Sequence, residues 1–195
     1  MNATDLQPRP LVVGIGGTIG GVSSTERALM IALEAAAREG FETRLFGGDA
    51  LARLPLYNPK AHERTGDEQA FVEAVRASSA VIIASPGYHG SISGLVKNAL
   101  DLLEETAQDG RPYLADMPVG LIATAYGWQA TGSTIAALRS IVHALRGWPT
   151  PFAAAINSQL TKFDGDGGAN DPAVLDQLAL IGRQVARFAP LAAHG

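Results

Sequence analysis

The chain has 195 residues, 47% of them hydrophobic, with 15 Lys and Arg against 19 Asp and Glu, a formal charge of −4. That length suits one domain burying about 70% of its unfolded surface, and the acidic balance excludes an electrostatic footprint for nucleic acid or an anionic membrane. The complete lack of cysteine excludes disulfides, thiolate metal ligands and cysteine nucleophiles, so redox chemistry would have to come from a bound cofactor.

MNATDLQPRP at the start lacks the apolar core of a secretion signal, and no apolar run approaches the ~20 residues that span a bilayer. A cytoplasmic protein with no membrane contact is the expectation. Leu11 to Ile15, entered by Pro10 and left through glycines, reads as a buried strand. Ser24 to Arg38 carries apolar residues at helical spacing and stops before Gly40, which suits a helix end. Phe41 to Phe46 fits a second strand, and Leu51 to Gly66 reads as irregular, with Pro55 and Pro59. A helix over Asp67 to Ala77 leads into Ala80 to Ala84, a β-branched run without polar alternation, hence a strand buried on both faces. A helix from Ser93 to Thr106, a strand from Val119 to Thr124, a helix from Thr131 to Leu145, a strand from Phe152 to Ile156 and a helix from Pro172 to Phe188 complete the order.

Five alternations of strand and helix imply right-handed crossovers and a mostly parallel sheet with helices on both faces. Residues 1–195 then form one domain, with flexible ends at 1–9 and 190–195. Ligands of such sheets bind beyond the carboxyl ends of the strands. Three loops leave strands there with unusual chemistry: 16–25, 85–91 and 124–131.

The first contains GIGGTIGGVSST, Gly14 to Thr25, with five glycines and four hydroxyl side chains. As a dinucleotide fingerprint it puts Ile19 at the third glycine; as a triphosphate loop it puts Val22 at the lysine. What remains is a turn of backbone N–H groups with Thr18, Ser23, Ser24 and Thr25 at a helix N-terminus, suited to a single terminal phosphate. One of Ser23 and Ser24 also caps the helix.

SPGYHGSISG offers N–H groups at Gly87, Tyr88, His89 and Gly90 beside an aromatic side chain, which suits the edge of a flat heterocycle such as a flavin. Equally, Tyr88 is a wall of the fold and His89 an exposed loop residue. In TAYGWQATGST, Tyr126 and Trp128 either cover a ring or enter a subunit interface.

These residues bring the chain to a family: from about Leu11 to Arg187 it resembles the NAD(P)H-dependent FMN reductases of the flavodoxin-like fold. The strongest piece is SPGYHGSISGLVKNALDLL, Ser85 to Leu103, similar to the family's proline, any, tyrosine, any, glycine-serine loop and following helix. LPLYNP at 54–59 and GGTIGGVSST at 16–25 are also similar to family segments. The resemblance implies an α/β, flavodoxin-like three-layer sandwich with a five-stranded parallel sheet of order 2-1-3-4-5. It implies FMN as cofactor and NADPH or NADH as hydride donor. By position, Gly17, Thr18, Ser23, Ser24 and Thr25 would bind the FMN phosphate, Pro86, Gly87, Tyr88, His89 and Gly90 would line the isoalloxazine and ribityl, and Thr124, Ala125, Tyr126, Gly127, Trp128 and Gln129 would flank the ring. Two departures stand out. Gly20 occupies the place of an arginine in many relatives, which implies loose FMN binding, and AYGWQATG is bulkier than the family's glycine-rich turn.

The implied activity is hydride transfer from the nicotinamide directly to flavin N5, with no catalytic acid or base, and possible delivery of reduced flavin to a monooxygenase. Reduction of a quinone or azo compound by bound FMN is an alternative; an electron carrier and a flavin-free binding protein are others. The family implies a homodimer or homotetramer; the apolar Val96–Leu103 stretch and the Trp148-Pro149 segment read either as a dimer surface or as core packing. His62, His143 and His194 have no second ligand at metal spacing, and no metal is assigned. Lys97 and Asp101 are expected to form an ion pair along one helix face.

Overall fold

The computed structural model describes residues 9–192. The stretches 1–8 and 193–195, which contain His194 and most of the two ends expected to be flexible, lie outside the described residues. Residues 190–192 belong to the last helix.

The elements follow as β1 (Leu11–Gly16), α1 (Ser24–Arg38), β2 (Glu42–Phe46), α2 (Gly48–Ala52), α3 (Gly66–Ala77), β3 (Ala80–Tyr88), β4 (Ser91–Ile92), α4 (Gly94–Asp101), a 3₁₀ turn (Leu102–Thr106), β5 (Pro118–Ala125), α5 (Trp128–Ala144), β6 (Trp148–Asn157) and α6 (Pro172–Ala192). The parallel strands lie in the order β2-β1-β3-β5-β6, which is the expected 2-1-3-4-5 once the short β4 is set aside. That strand pairs antiparallel with the end of β3, Gly87 opposite Ile92 and Tyr88 opposite Ser91.

Alternation along each buried strand divides two cores. Val13, Ile15, Val81, Ile83, Val119 and Leu121 face α2 to α5. Val12, Ala80, Ile82, Ala84 and Ile122 face α1 and α6. On that second side the helices meet through small residues, and Gly182 of α6 lies so close to Ala32 and Ala35 of α1 that a side chain would overlap them. Of the two readings of Val96–Leu103, the structure gives core packing: Val96, Ala99, Leu100, Leu102 and Leu103 are buried within the chain. Lys97 and Asp101 form the expected ion pair on its exposed side.

Besides α6, which runs to Ala192 rather than Phe188, and the helix expected over Ser93 to Thr106, which tightens to a 3₁₀ turn after Asp101, four elements differ from expectation. Residues 48–52, at the edge of the stretch read as irregular, form α2, a helix too short and too rich in Gly and Asp to show periodicity. Strand β3 runs on through Ser85, Pro86 and Gly87, so the second loop is a strand end and hairpin. Helix α5 begins at Trp128, three residues earlier than expected, because no capping side chain marks its start. Strand β6 begins at Trp148 despite Pro149 and Pro151, which an edge strand tolerates because one side needs no ladder.

Candidate functional site

The chain leaves β1 through Gly16 and Gly17 and enters α1 after Ser23, whose hydroxyl caps the helix by accepting the Glu26 N–H at 3.2 Å. Thr18, Ser23 and Ser24 are partly exposed. Thr25 is not. It is 2% exposed, and its Oγ1 lies 2.5 Å from Oγ1 of Thr124, itself 4% exposed. Of the four hydroxyls expected to face a phosphate, one caps α1 and one clasps the end of β5.

The turn rests on the β2–α2 junction. A Cβ at Gly17 would come within 2.5 Å of the Gly48 N and 2.7 Å of Glu26 Oε2, so backbone packs on backbone here. Glu26 Oε2 accepts the Gly48 N–H at 2.9 Å, and Asp49 Oδ1 accepts the Gly20 N–H at 3.0 Å. Gly20 and Gly21 have φ of +95° and +99° with open space around them. Sequence reasoning missed Glu26, Gly47, Gly48 and Asp49. The available signal was a double glycine followed by an acid at the ligand end of the second strand.

At the second loop, His89 and Gly90 have φ of +48° and +89°, the left-handed pair that closes a two-residue hairpin between β3 and β4. Ser85 is buried; its hydroxyl donates to the Pro86 carbonyl at 2.9 Å and accepts the Ser93 N–H at 3.0 Å. Ser93 in turn caps α4. Gly87 is obligatory for packing, since a Cβ there would lie 2.6 Å from Thr134 Oγ1 on α5. Pro86 is buried, whereas Tyr88, His89 and Gly90 are exposed.

At the third, Thr124 and Ala125 end β5, buried, and only Tyr126 and Gly127 separate them from α5. Gly127 stands at the N-cap without a side-chain hydrogen bond. Tyr126, Trp128 and Gln129 are exposed.

Parallel pairing makes these three turns neighbours. Gly16 registers with Ala84, and Pro86 with Thr124; the Thr25–Thr124 contact ties the first loop to the third, and Gly87 seats the second on α5. The structure thus brings all the expected positions to one sheet end. Asn98 holds the neighbouring 54–59 segment there, accepting the Tyr57 N–H at 2.8 Å and donating to the Pro55 carbonyl at 2.9 Å. Arg64 closes that segment by bonding Glu105 at 2.7 Å and Glu68 at 3.4 Å, and the Glu105 hydrogen bond raises the Arg64 pKa further above its ordinary value.

Charge is unusual around the first loop. Arg27 is the sole Lys or Arg between residues 10 and 37. It donates to the Asp164 carbonyl and lines a separate groove of about 540 Å³ with Val22, Met30 and Phe163. The α1 N-terminus, with roughly half a positive charge, therefore has two carboxylates nearby, Glu26 and Asp49. Its hydroxyls, its backbone donors and the adjacent exposed aromatics fit a ligand with one phosphate and a flat ring.

Residues 10–161 match the family described as NADPH-dependent FMN reductase. The FMN-dependent NADPH-azoreductase of Staphylococcus haemolyticus is 36% identical over 95 residues, 48% of this chain and 47% of that protein. A Staphylococcus aureus protein of the same name is 34% identical over 99 residues, 51% of this chain and 46% of its own length. The chain therefore spans about half the length of the curated relatives it matches. Among solved structures, the NAD(P)H:(acceptor) oxidoreductase FerB of Paracoccus denitrificans superposes with a TM-score of 0.75 at 21% identity, covering 93% of this chain and 98% of that one. A flavodoxin from Streptococcus pneumoniae gives 0.60 at 10% identity, with 91% and 98% covered. The fold is flavodoxin-like.

Proposed function

The chain belongs to the NADPH-dependent FMN reductase family, and from that premise we propose that it is an NAD(P)H-dependent FMN reductase binding its flavin across the three loops. The observation that carries this is the buried hydroxyl contact between Thr25 and Thr124, which joins the phosphate-type turn to the third loop at the end of the sheet. Thr18 and Ser24, with the N–H groups opening α1, hold the phosphate. Gly17 lets the turn lie flat on residues 47–48. Pro86 to Gly90 line the ribityl and ring, and the stretch from Thr124 to Gln129 flanks them. FMN, when bound, supplies the isoalloxazine that accepts a hydride at N5, leaving oxidised nicotinamide. The protein's part is to orient two flat rings and exclude water, for which the exposed side chains of Tyr88, Tyr126 and Trp128 are suited.

Anaerobic titration with FMN, followed by each nicotinamide, tests the reading. Quenched flavin fluorescence on binding and bleached flavin absorbance on adding NADPH or NADH are expected. An unchanged flavin spectrum with both nicotinamides overturns it.

A second reading, reduction of a flat azo or quinone acceptor in place, is favoured by the same exposed aromatics and by the relatives named as azoreductases. Decolourisation of an azo dye by NADPH with FMN at enzyme concentration supports it; a requirement for excess free FMN supports release of reduced flavin to a monooxygenase. A cytoplasmic homodimer or homotetramer is part of the proposal. No described helix is long and apolar enough to cross a membrane.

A further inference from the structure

Asp49 makes a contact that a flavin phosphate would want. Its Oδ1 accepts the N–H of Gly20, in the middle of the phosphate turn, across 29 residues of chain. A carboxylate oxygen and a phosphate oxygen seek the same donor with the same sign of charge. Two further donors nearby are also engaged, since Glu26 takes the Gly48 N–H and Ser23 the Glu26 N–H.

No guanidinium offsets Asp49 among the described contacts. Arg53 directs Nε to Asp67 at 3.2 Å and one terminal nitrogen to the backbone carbonyl of Asp49. Arg27 is turned to the Asp164 carbonyl. At residue 20 itself there is no side chain, and open space surrounds the glycine. Where a cation would draw a phosphate in, this chain presents an anion already seated on the loop.

We propose that Asp49 is a specificity-determining residue that competes with the flavin phosphate for the Gly20 N–H, so that the site discriminates less between FMN and phosphate-free riboflavin than its other phosphate donors alone would dictate. The inference rests on the flavin reading above. Two effects act in one direction. Phosphate binding must first release Asp49, so the observed Kd is the intrinsic Kd divided by the fraction of protein in which the turn is free; and the carboxylate repels the phosphate dianion through water, a modest effect that salt screens. Neither effect touches riboflavin.

Asp49 is exposed, so its replacement leaves the core intact. Wild type, Asp49→Asn and Asp49→Ala are titrated with FMN and with riboflavin, followed by quenching of flavin fluorescence. Asp49→Ala, which removes both the acceptor and the charge, should tighten FMN by up to about fivefold with riboflavin unchanged, removal of one nearby exposed charge setting that scale. Asp49→Asn, which keeps an acceptor oxygen for the Gly20 N–H and loses only the charge, should shift FMN in the same sense by less. An FMN Kd within twofold of wild type in Asp49→Ala, or equal shifts for both flavins, overturns this inference and leaves the flavin site standing. Failure of all three proteins to bind either flavin overturns both.

Discussion

Two residue positions decide whether the site holds together. Thr25 and Thr124 are buried and bonded to each other. Replacing one by valine strands the other hydroxyl without water, at a cost of about 1–3 kcal/mol, while replacing both removes the need for a partner. Thr25→Val and Thr124→Val are thus each expected to melt lower than wild type, and the double variant to recover most of the loss. A double-mutant cycle of thermal or urea unfolding checks this, with additive losses counting against the clasp. Gly87 sets a different constraint, because a methyl group there meets Thr134 Oγ1 at 2.6 Å and the Ala130 carbonyl at 3.2 Å. Gly87→Ala is expected to lose about 1–3 kcal/mol by overpacking and to weaken flavin binding as α5 moves away from β3. Calorimetry and flavin titration read the two effects separately.

At the scale of elements, two helical glycines with opposite surroundings make a matched test. Gly132 lies on the exposed side of α5 with open space at its Cβ position, whereas a Cβ on Gly182 of α6 meets Ala35 Cβ at 2.7 Å and the Ala36 N at 2.9 Å. Helix propensity alone favours alanine at both by about 1 kcal/mol. Gly132→Ala should therefore raise the melting temperature, and Gly182→Ala should lower it because overpacking outweighs propensity. Urea midpoints of the two variants on opposite sides of wild type are the expected result. The same scale explains what was legible in the sequence. Ala80 to Ala84 announced itself through an unbroken β-branched run, and α1 through spacing and its serine cap. The continuation of β3 through Ser85-Pro86-Gly87 was hidden because Pro and Gly punctuate it, and only pairing with β5 and β4 keeps it extended. The first loop of the site was legible as a loop, but Glu26 and Asp49 were not legible as its partners. Those contacts join residues 22 and 29 positions apart, a distance set by the crossover and not by any local pattern.

For the whole molecule, the two tryptophans are informative because both are outside the cores. Trp128 is 61% exposed and Trp148 is 67% exposed. An isolated chain is expected to emit at the red wavelengths of hydrated indole, to be quenched readily by acrylamide, and to show little wavelength shift on unfolding. The proposed homodimer changes this, since an exposed aromatic at a subunit contact loses water. Emission that shifts to the blue as concentration rises, in step with the mass from light scattering, would place a tryptophan in the contact; Trp128→Phe and Trp148→Phe identify which. Red emission at every concentration where the mass is dimeric removes both from it.

The paired left-handed glycines at 20 and 21 also restrict which side chains the loop accepts. An arginine side chain has room at residue 20, yet its backbone would have to hold a φ near +95°, which costs a residue with a Cβ about 1–3 kcal/mol. A cation placed at residue 20 is therefore penalised before its charge confers any benefit, and the turn has to be rebuilt before this position can carry one. Gly20→Arg melting below wild type would show that barrier directly.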